Sequence, residues 1–338
     1  MTIVLPRGSR LLIEAQLEPM QGARFQPTGF PALGPATYQL ADGTRMLLVE
    51  SAQSMANRLE ATVLEPGTVQ PLAFLDGMPY ILVKEGDRVV TTSLVEAHRI
   101  NSPYILEGDD TSMRDALISE LKVAEESAVS EARLASVLCK YDPSTLLHGV
   151  FLAKKDIAGG RFRLRRALSA FIEARDAEVV SSGGVKNDHV NPSGETKEGF
   201  GNVPFAREEF TAGSITAYFN LDLAQLRSYR LPEEMTRFLT LLGMWKIRTL
   251  LDGGLRLRTA CDFAVTNMAS TRPSGFELPT TDALQEEITP LVKQCVGHFA
   301  NPAITTVSWS SGSSKKGAAR KAKGAKVEAT EDSGDDES

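Results

Sequence analysis

The chain has 338 residues, of which 42% are hydrophobic and 24% charged, with 37 Lys and Arg against 43 Asp and Glu. This composition excludes disordered, collagenous and disulfide-scaffold proteins, and the net charge of −6 excludes an indiscriminately basic coat for nucleic acid. The length allows one large domain or two ordinary ones.

Strands and helices follow one another along the chain in a pattern typical of a mixed α+β protein. Alternating apolar and polar residues predict strands, and apolar residues at three- and four-residue spacing predict helices. The predicted strands are Arg10–Gln16, Arg45–Glu50, Tyr80–Val83, Arg88–Thr92, Arg161–Leu164, Ser214–Leu223 and Leu255–Phe263. The predicted helices are Ala52–Leu64, Met113–Lys140, Glu233–Leu251 and Thr281–His298. Hairpin-like steps between strands favour an α+β sheet over a strict doubly wound parallel sheet.

Two internal segments and the C-terminal end lack regular patterns. Residues 19–43 and 181–213 are rich in Gly, Pro and Asn, which predicts irregular insertions, and insertions of that length are usually functional or disordered. Residues 310–338 contain almost no large apolar residue, which predicts a disordered tail. In this tail six basic residues precede six acidic ones, so the tail has no net charge and the net charge of −6 lies in residues 1–309. We expect one domain over residues 1–309.

The cysteines and the apolar runs predict a cytoplasmic protein. Cys139, Cys261 and Cys295 lie far apart without metal-ligand spacing, which fits buried thiols in a reducing compartment. No stretch approaches the length of apolar residues that a membrane helix needs. The apolar run before Pro6 and Arg7 is too short for a signal peptide.

The sequence lacks the common catalytic motifs. It contains no G-x-S-x-G, no H-E-x-x-H, no G-x-x-x-x-G-K-[ST] and no G-x-G-x-x-G after a strand. The histidines are scattered without ligand spacing: His98, His148, His189 and His298. We therefore expect no catalytic residue, no metal and no cofactor.

Arginines alternate with apolar residues in one predicted strand. Arg161, Arg163 and Arg165 flank Phe162 and Leu164, so three guanidinium groups would share one face roughly 6 to 7 Å apart, twice the strand rise. This spacing suits successive phosphates of an extended single strand, and arginine suits phosphate recognition. The alternative is a half-buried strand with a solvated outer face.

A second strand repeats this arginine alternation. Arg256 and Arg258 alternate with leucines after Gly253 and Gly254, and Arg166 extends the first arginine run. Two arginine faces in an acidic protein favour nucleic-acid binding over a solvated face. The negative charge is concentrated elsewhere, in residues 110–131, where six acids predict a solvated helix face.

A strand that runs into a helix forms a further candidate site. Ser51 is placed to cap the helix, and Gln53, Ser54, Asn57 and Arg58 form its polar face. Free N–H groups and the dipole at a helix N-terminus favour an anion such as phosphate. The alternative is a simple cap with a polar surface.

A polar turn, His98, Arg99 and Asn101 before Pro103, is another candidate for RNA contact. Taken together with Ser51–Glu60, Gly160–Ala174 and Ala217–Leu223, the segment Ala97–Pro103 resembles the backbone subunit of the type I-U (I-G) CRISPR effector, a member of the RAMP superfamily. The resemblance extends from about residue 9 to residue 300.

The resemblance implies an RRM-like (ferredoxin-like) palm with inserted finger and thumb elements. It implies a non-enzymatic, RNA-binding subunit whose copies polymerise along a CRISPR RNA, beside other effector subunits in antiviral defence. The guide bases would then pair with target DNA while the protein holds the RNA backbone. In the second insertion, Lys186 and Asn187 would contact RNA or the adjacent copy.

RAMP relatives in other CRISPR types include enzymes that cleave RNA, so an endoribonuclease acting on CRISPR or target RNA is the alternative function. Its candidates are His98 or His189 as acid or base, and Asp188 assisting a metal. A small-molecule enzyme is a third hypothesis, which would require a tight internal pocket.

Overall fold

The computed structural model describes residues 2–30, 33–121 and 130–310. The predicted tail, beyond Ser310, and part of the acidic stretch over residues 110–131 lie outside the described residues.

The described residues form a mixed α/β fold, as predicted. The strands are β1 (Leu11–Pro19), β2 (Gly29–Phe30), β3 (Gly34–Pro35), β4 (Thr37–Gln39), β5 (Arg45–Glu50), β6 (Tyr80–Glu85), β7 (Arg88–Thr92), β8 (Val150–Leu152), β9 (Phe162–Leu164), β10 (Leu168–Arg175), β11 (Glu178–Lys186), β12 (Val203–Thr211), β13 (Ser214–Leu221), β14 (Leu255–Arg258), β15 (Cys261–Arg272) and β16 (Ile304–Ser308). The α-helices are α1 (Ala52–Ala61), α2 (Pro103–Leu106), α3 (Ser112–Leu121), α4 (Glu131–Tyr141), α5 (Ser144–His148), α6 (Leu223–Ser228), α7 (Glu233–Asp252) and α8 (Thr281–Cys295).

The centre of the fold is a seven-stranded antiparallel sheet in the order β14-β15-β1-β13-β10-β5-β4. Every second residue of β1 is buried, from Leu11 to Leu17, as the two-residue period of a strand requires. The buried face packs against α1, α5 and α7. Gly243 of α7 permits this approach, because a Cβ atom there would lie 2.9 Å from a methyl group of Leu221.

A smaller sheet, β16-β6-β7, lies apart from the central one. In it β16 pairs in parallel with β6, which brings the C-terminal part of the described chain back to its first third. No helix in the described ranges combines the length and apolarity that crossing a membrane requires.

Two of the predicted elements are wrong, because each of them corresponds to two separate elements in the structure. Leu255–Phe263 is the hairpin of β14 and β15, whose turn at the exposed Thr259 interrupts the buried alternation between Leu257 and Cys261. Met113–Lys140 contains α3 and α4, and α4 begins with its own cap, since the Ser130 side chain accepts from the Arg133 N–H.

The prediction of irregular backbone over residues 181–213 is also wrong at both ends of that segment, while residues 187–202 between the strands form no strand. Strands β11 and β12 form a regular antiparallel hairpin, with Glu178 opposite Thr211 and Lys186 opposite Val203. The glycines support the pairing here, because a Cβ atom on Gly183 would lie 2.6 Å from the backbone oxygen of Phe205. Within residues 19–43, by comparison, β2, β3 and β4 are only two or three residues long.

Candidate nucleic-acid interface

The N-terminus of α1 follows β5 directly and has the predicted cap. The Ser51 hydroxyl accepts a hydrogen bond from the Ser54 N–H at 3.2 Å. Met55, Ala56 and Leu59 are buried against the sheet, which leaves Gln53 and Asn57 exposed. The helix therefore presents a polar face to solvent beside its free N–H groups.

A buried carboxylate, which the sequence did not reveal, lies beneath this helix. Glu50 has no exposed surface and accepts hydrogen bonds from the Ser54 hydroxyl, from Arg58 Nε at 3.2 Å and from the guanidinium of Arg258. Arg58 also donates to the carbonyl of Leu257 at 2.6 Å. Burial lowers the pKa of Arg58.

Arg58 and Arg258 therefore donate hydrogen bonds to partners within the protein. Arg258 also donates to the carbonyl of Gln26 at 2.9 Å, and only about a quarter of each arginine side chain is exposed. Together they fasten β14 to the start of α1 across the sheet. Arg256, two residues before Arg258 in β14, is exposed.

The polar turn lies at the other end of α1. Arg99 Nε donates to Glu60 at 2.5 Å, and Asn101 Oδ1 accepts from the Ala153 N–H at 3.3 Å. His98 is exposed. The turn thus connects the end of α1 to the residue that follows β8.

The predicted arginine alternation is confirmed in β9. Phe162 and Leu164 are buried while the side chains of Arg161, Arg163 and Arg165 are exposed. The regular strand is only three residues long and pairs with β8.

One of these arginines rests on an aromatic ring of β8. The Arg163 guanidinium lies 4.6 Å from the ring centroid of Phe151, a cation–π contact that limits the directions in which it points. The neighbouring Arg166 is half-buried and donates to the carbonyl of Ala52 at 3.3 Å, and burial lowers its pKa. Through Arg166 the arginine hairpin is tied to the first residue of α1.

Three of the five predicted segments therefore adjoin α1, which itself carries a fourth, and the fifth lies elsewhere. Lys186 and Asn187 lie at the outer end of the β11–β12 hairpin, eight residue steps or roughly 26 Å along the strand from its base at Glu178.

The residues considered for RNA cleavage are not assembled into a site. The Asp188 carboxylate accepts from the N–H groups of Val190, Asn191 and Gly201 at 2.8 to 2.9 Å, and these bonds lower its pKa. These bonds close the hairpin tip and use three of the roughly four acceptor positions of the carboxylate, so Asp188 has a structural part in the turn. In the described ranges no group of three His, Cys, Asp or Glu side chains could hold a metal ion.

Two further buried polar residues lie behind α1. Lys246 of α7 is fully buried, donates to the carbonyl of Leu59 at 3.1 Å, and has a pKa that burial lowers to about 7. His148 is also fully buried, and its pKa is far below the ordinary value because of burial and nearby cations. Lys246 lies in an otherwise apolar stretch of α7, which is the only signal of its position in the sequence.

A groove of about 770 Å³ lies beside Arg258, between Arg207 of β12 on one side and residues 26–29 and 34–35 on the other. Its walls carry both charged side chains and loop backbone, so it differs from the tight apolar pocket that a small-molecule enzyme would need.

Comparison with known proteins places these features in a family. The family model described as CRISPR-associated protein GSU0053 matches residues 11–179, half of the chain. The match includes β9, the polar turn and all of α1. No curated protein matches the sequence.

Two solved structures are similar to this chain at low identity. One is titled "CRISPR RNA-guided surveillance complex, pre-nicking", with 15% identity, a TM-score of 0.38, and coverage of 71% of this chain and 69% of that chain. The other is the crystal structure of Thermofilum pendens Csc2, with 8% identity, a TM-score of 0.30, and coverage of 86% and 78%. Likeness at these TM-scores is too weak to define the fold. The family match, by contrast, confirms the kinship with CRISPR-associated proteins that the motifs predicted, and the chain belongs to the family of CRISPR-associated protein GSU0053.

Proposed function

We propose that this protein is a non-enzymatic, RNA-binding backbone subunit of a type I-G CRISPR effector, acting in the cytoplasm beside other effector subunits. The observation that carries the proposal is the row of exposed arginines on β9 and its flanks, Arg161, Arg163 and Arg165, fastened next to the N-terminus of α1. Membership of a CRISPR-associated family supports it.

The spacing of this row determines what it can hold. Alternate residues of a strand lie roughly 6 to 7 Å apart, which is within the range of neighbouring phosphates in an extended single strand. Guanidinium groups hold phosphates without reading bases, so the guide bases stay free to pair with target DNA. Gln53, Asn57, His98 and Arg256 would add contacts to the sugar and phosphate groups.

Arg58 and Arg258 have a supporting part in this proposal. They hold α1 and β14 in place through Glu50, and the exposed side chains around them contact the RNA. Arg99, Asn101 and Arg166 fix the turn and the arginine hairpin against α1 and add positive charge to the same surface.

The larger architecture follows the same proposal. The central sheet with its helices forms an RRM-like palm within one domain over residues 1–309, and residues 19–43 and the β11–β12 hairpin form the finger and thumb insertions. Lys186 and Asn187, at the end of that hairpin, reach the RNA or the adjacent copy in a row of copies along the guide.

RNA binding by a triple variant tests the proposal. With Arg161, Arg163 and Arg165 all changed to Ala, we expect weaker binding of single-stranded RNA. The slope of the logarithm of the binding constant against the logarithm of the salt concentration should become shallower by about 2, since each lost phosphate contact removes about 0.7. The matched control changes the exposed Arg7, Arg88 and Arg272 to Ala.

The control variant has the same net charge as the test variant, so it separates local contact from overall charge. Equal affinity and equal salt slope in the test variant and the wild-type protein would refute the proposed site. Equal losses in the test and control variants would show attraction by net charge alone, which would also refute it.

A further inference from the structure

The central sheet has a second face, opposite the one on which α1, α5 and α7 pack, and no helix of the described residues packs closely on it. Leu12, Glu14 and Gln16 of β1 alternate with its buried residues and point away from α1 and α7. Their neighbours in register on β13 and β10 include Tyr218, opposite Glu14, and Phe171, opposite Tyr218. Phe171 and Leu12 lie outside the hydrophobic core and are only partly buried, in agreement with their register positions on this open face.

The middle of the open face is aromatic. The rings of Phe171 and Tyr218 stack with centroids 5.1 Å apart and an angle of 24° between their planes. Tyr38 of β4 is exposed at one side, and its hydroxyl donates to Glu173 at 2.6 Å. The outward surfaces of such rings attract cations through their negative π faces.

The carboxylates of the open face surround these rings. Glu14, Glu18 and Glu173 point outward on β1 and β10. Glu14 and Glu18 make no ion pair with any residue that the structure describes. The cations on this face lie at its corners: Arg175, which pairs with Asp42 at 3.6 Å, and Arg272.

Aromatic rings framed by unpaired carboxylates suit a partner rich in Lys and Arg and repel a phosphate chain. The chain itself contains such a partner: six basic residues within residues 315–326. This segment begins five residues after Ser310, the last described residue, and at full extension it reaches up to about 50 Å from there. A domain of this length has a radius of gyration of about 20 Å, so the segment is long enough to reach the open face.

We propose that the open face of the central sheet binds the basic half of the chain's own C-terminal segment, residues 315–326. Lysine and arginine side chains lie against Tyr218 and Phe171 and pair with Glu14, Glu18 and Glu173. The arginine row on β9 then stays available for RNA, while the basic residues of the tail are neutralised on the side of the sheet opposite α1.

Carbodiimide cross-linking of the full-length protein tests this proposal, because the reagent joins a lysine to a carboxylate only when the two are in contact. At low ionic strength we expect cross-links from the lysines of residues 315–326 to Glu14, Glu18 or Glu173, identified by mass spectrometry. Their yield should fall at least threefold in 0.5 M salt, where the Debye length is about 4 Å.

Isotope labelling identifies the source of the tail. In a mixture of ¹⁵N-labelled and unlabelled chains, cross-linked peptide pairs carrying one label throughout support the proposal. Pairs of mixed label would assign the face to the tail of a second copy and overturn it. Links only to other carboxylates, or none, would overturn it as well.

A variant with Glu14 and Glu173 changed to Gln provides the second measurement. The tail lysines should then be cleaved by trypsin several times faster than in the wild-type protein, while Glu286→Gln on the exposed side of α8 leaves the rate unchanged. Glu18→Gln, at an exposed position, is the fallback should the double variant fail to fold. Equal cleavage rates in all variants, or protection that arises only when RNA is added, would overturn the proposal.

Discussion

Glu50 offers the sharpest test of how the proposed RNA surface is built. Changing Glu50→Gln keeps the shape of the side chain but removes the negative charge that Arg58 and Arg258 share. Breaking a buried ion pair from one side costs about 3 to 5 kcal/mol. Since each arginine side chain remains about a quarter exposed, water recovers part of that loss, and we expect about 2 to 3 kcal/mol of destabilisation.

Urea unfolding followed by circular dichroism measures this loss, with Glu286→Gln as the control for removing an exposed charge. In a protein of this size the midpoint of thermal unfolding should fall by about 5 °C. The RNA affinity of the folded variant should stay within about threefold of wild type, or roughly 0.7 kcal/mol, because both guanidinium groups also donate to backbone carbonyls within the protein.

Two results would refute this reasoning. Unchanged stability would mean that Glu50 and the arginines do not fasten β14 to α1. A loss of RNA affinity as large as that of the arginine triple variant, in a protein that remains folded, would mean that Arg58 and Arg258 contact the RNA themselves.

The other predictions concern a buried lysine, the arginine hairpin and the hairpin tip. Burial lowers the pKa of Lys246 to about 7, so the unfolded chain binds more protons between that pH and the ordinary lysine value. The free energy of unfolding should therefore rise by roughly 3 kcal/mol from pH 7 to pH 9.5, and urea titrations of Lys246→Met should lack this rise and show higher stability at pH 7. Phe151→Ala should weaken RNA binding in filter assays about two- to fivefold by freeing the Arg163 guanidinium, while Phe151→Tyr keeps wild-type affinity. Asp188→Asn should speed proteolysis within residues 187–202 and leave labelled RNA uncut with and without Mg²⁺, as in the wild-type protein; magnesium-dependent cleavage that this variant abolishes would contradict the structural role.

Local signals in the sequence explain which strands and helices could be predicted. Arg45–Glu50 and Arg88–Thr92 match the structure because each is a short run of apolar or β-branched residues bounded by polar or turn residues. The sequence does not predict the central strand Leu168–Arg175, because its Leu, Ala and Glu residues favour a helix. In the structure, its place between two other strands overrides that preference.

The candidate site likewise combines local features, which the sequence predicts, with contacts between distant residues, which it does not. The Ser51 cap and the alternation around Arg163 depend on neighbours a few residues away, so the sequence was sufficient to predict them. The partnership of Glu50 with Arg258 joins residues 208 positions apart, and no local pattern indicates such a pair. The same holds for Asp188, whose role depends on how the hairpin tip closes.

The two edges of the central sheet differ in what they offer to another molecule. β4 has three residues, so its edge presents few unpaired N–H and C=O groups to a foreign strand. At the other edge β14 pairs only with residues 261–263 of β15, which leaves residues 264–272 of β15 without a strand partner on that side in the described chain. Strand addition to this sheet is therefore open along β15 and disfavoured along β4.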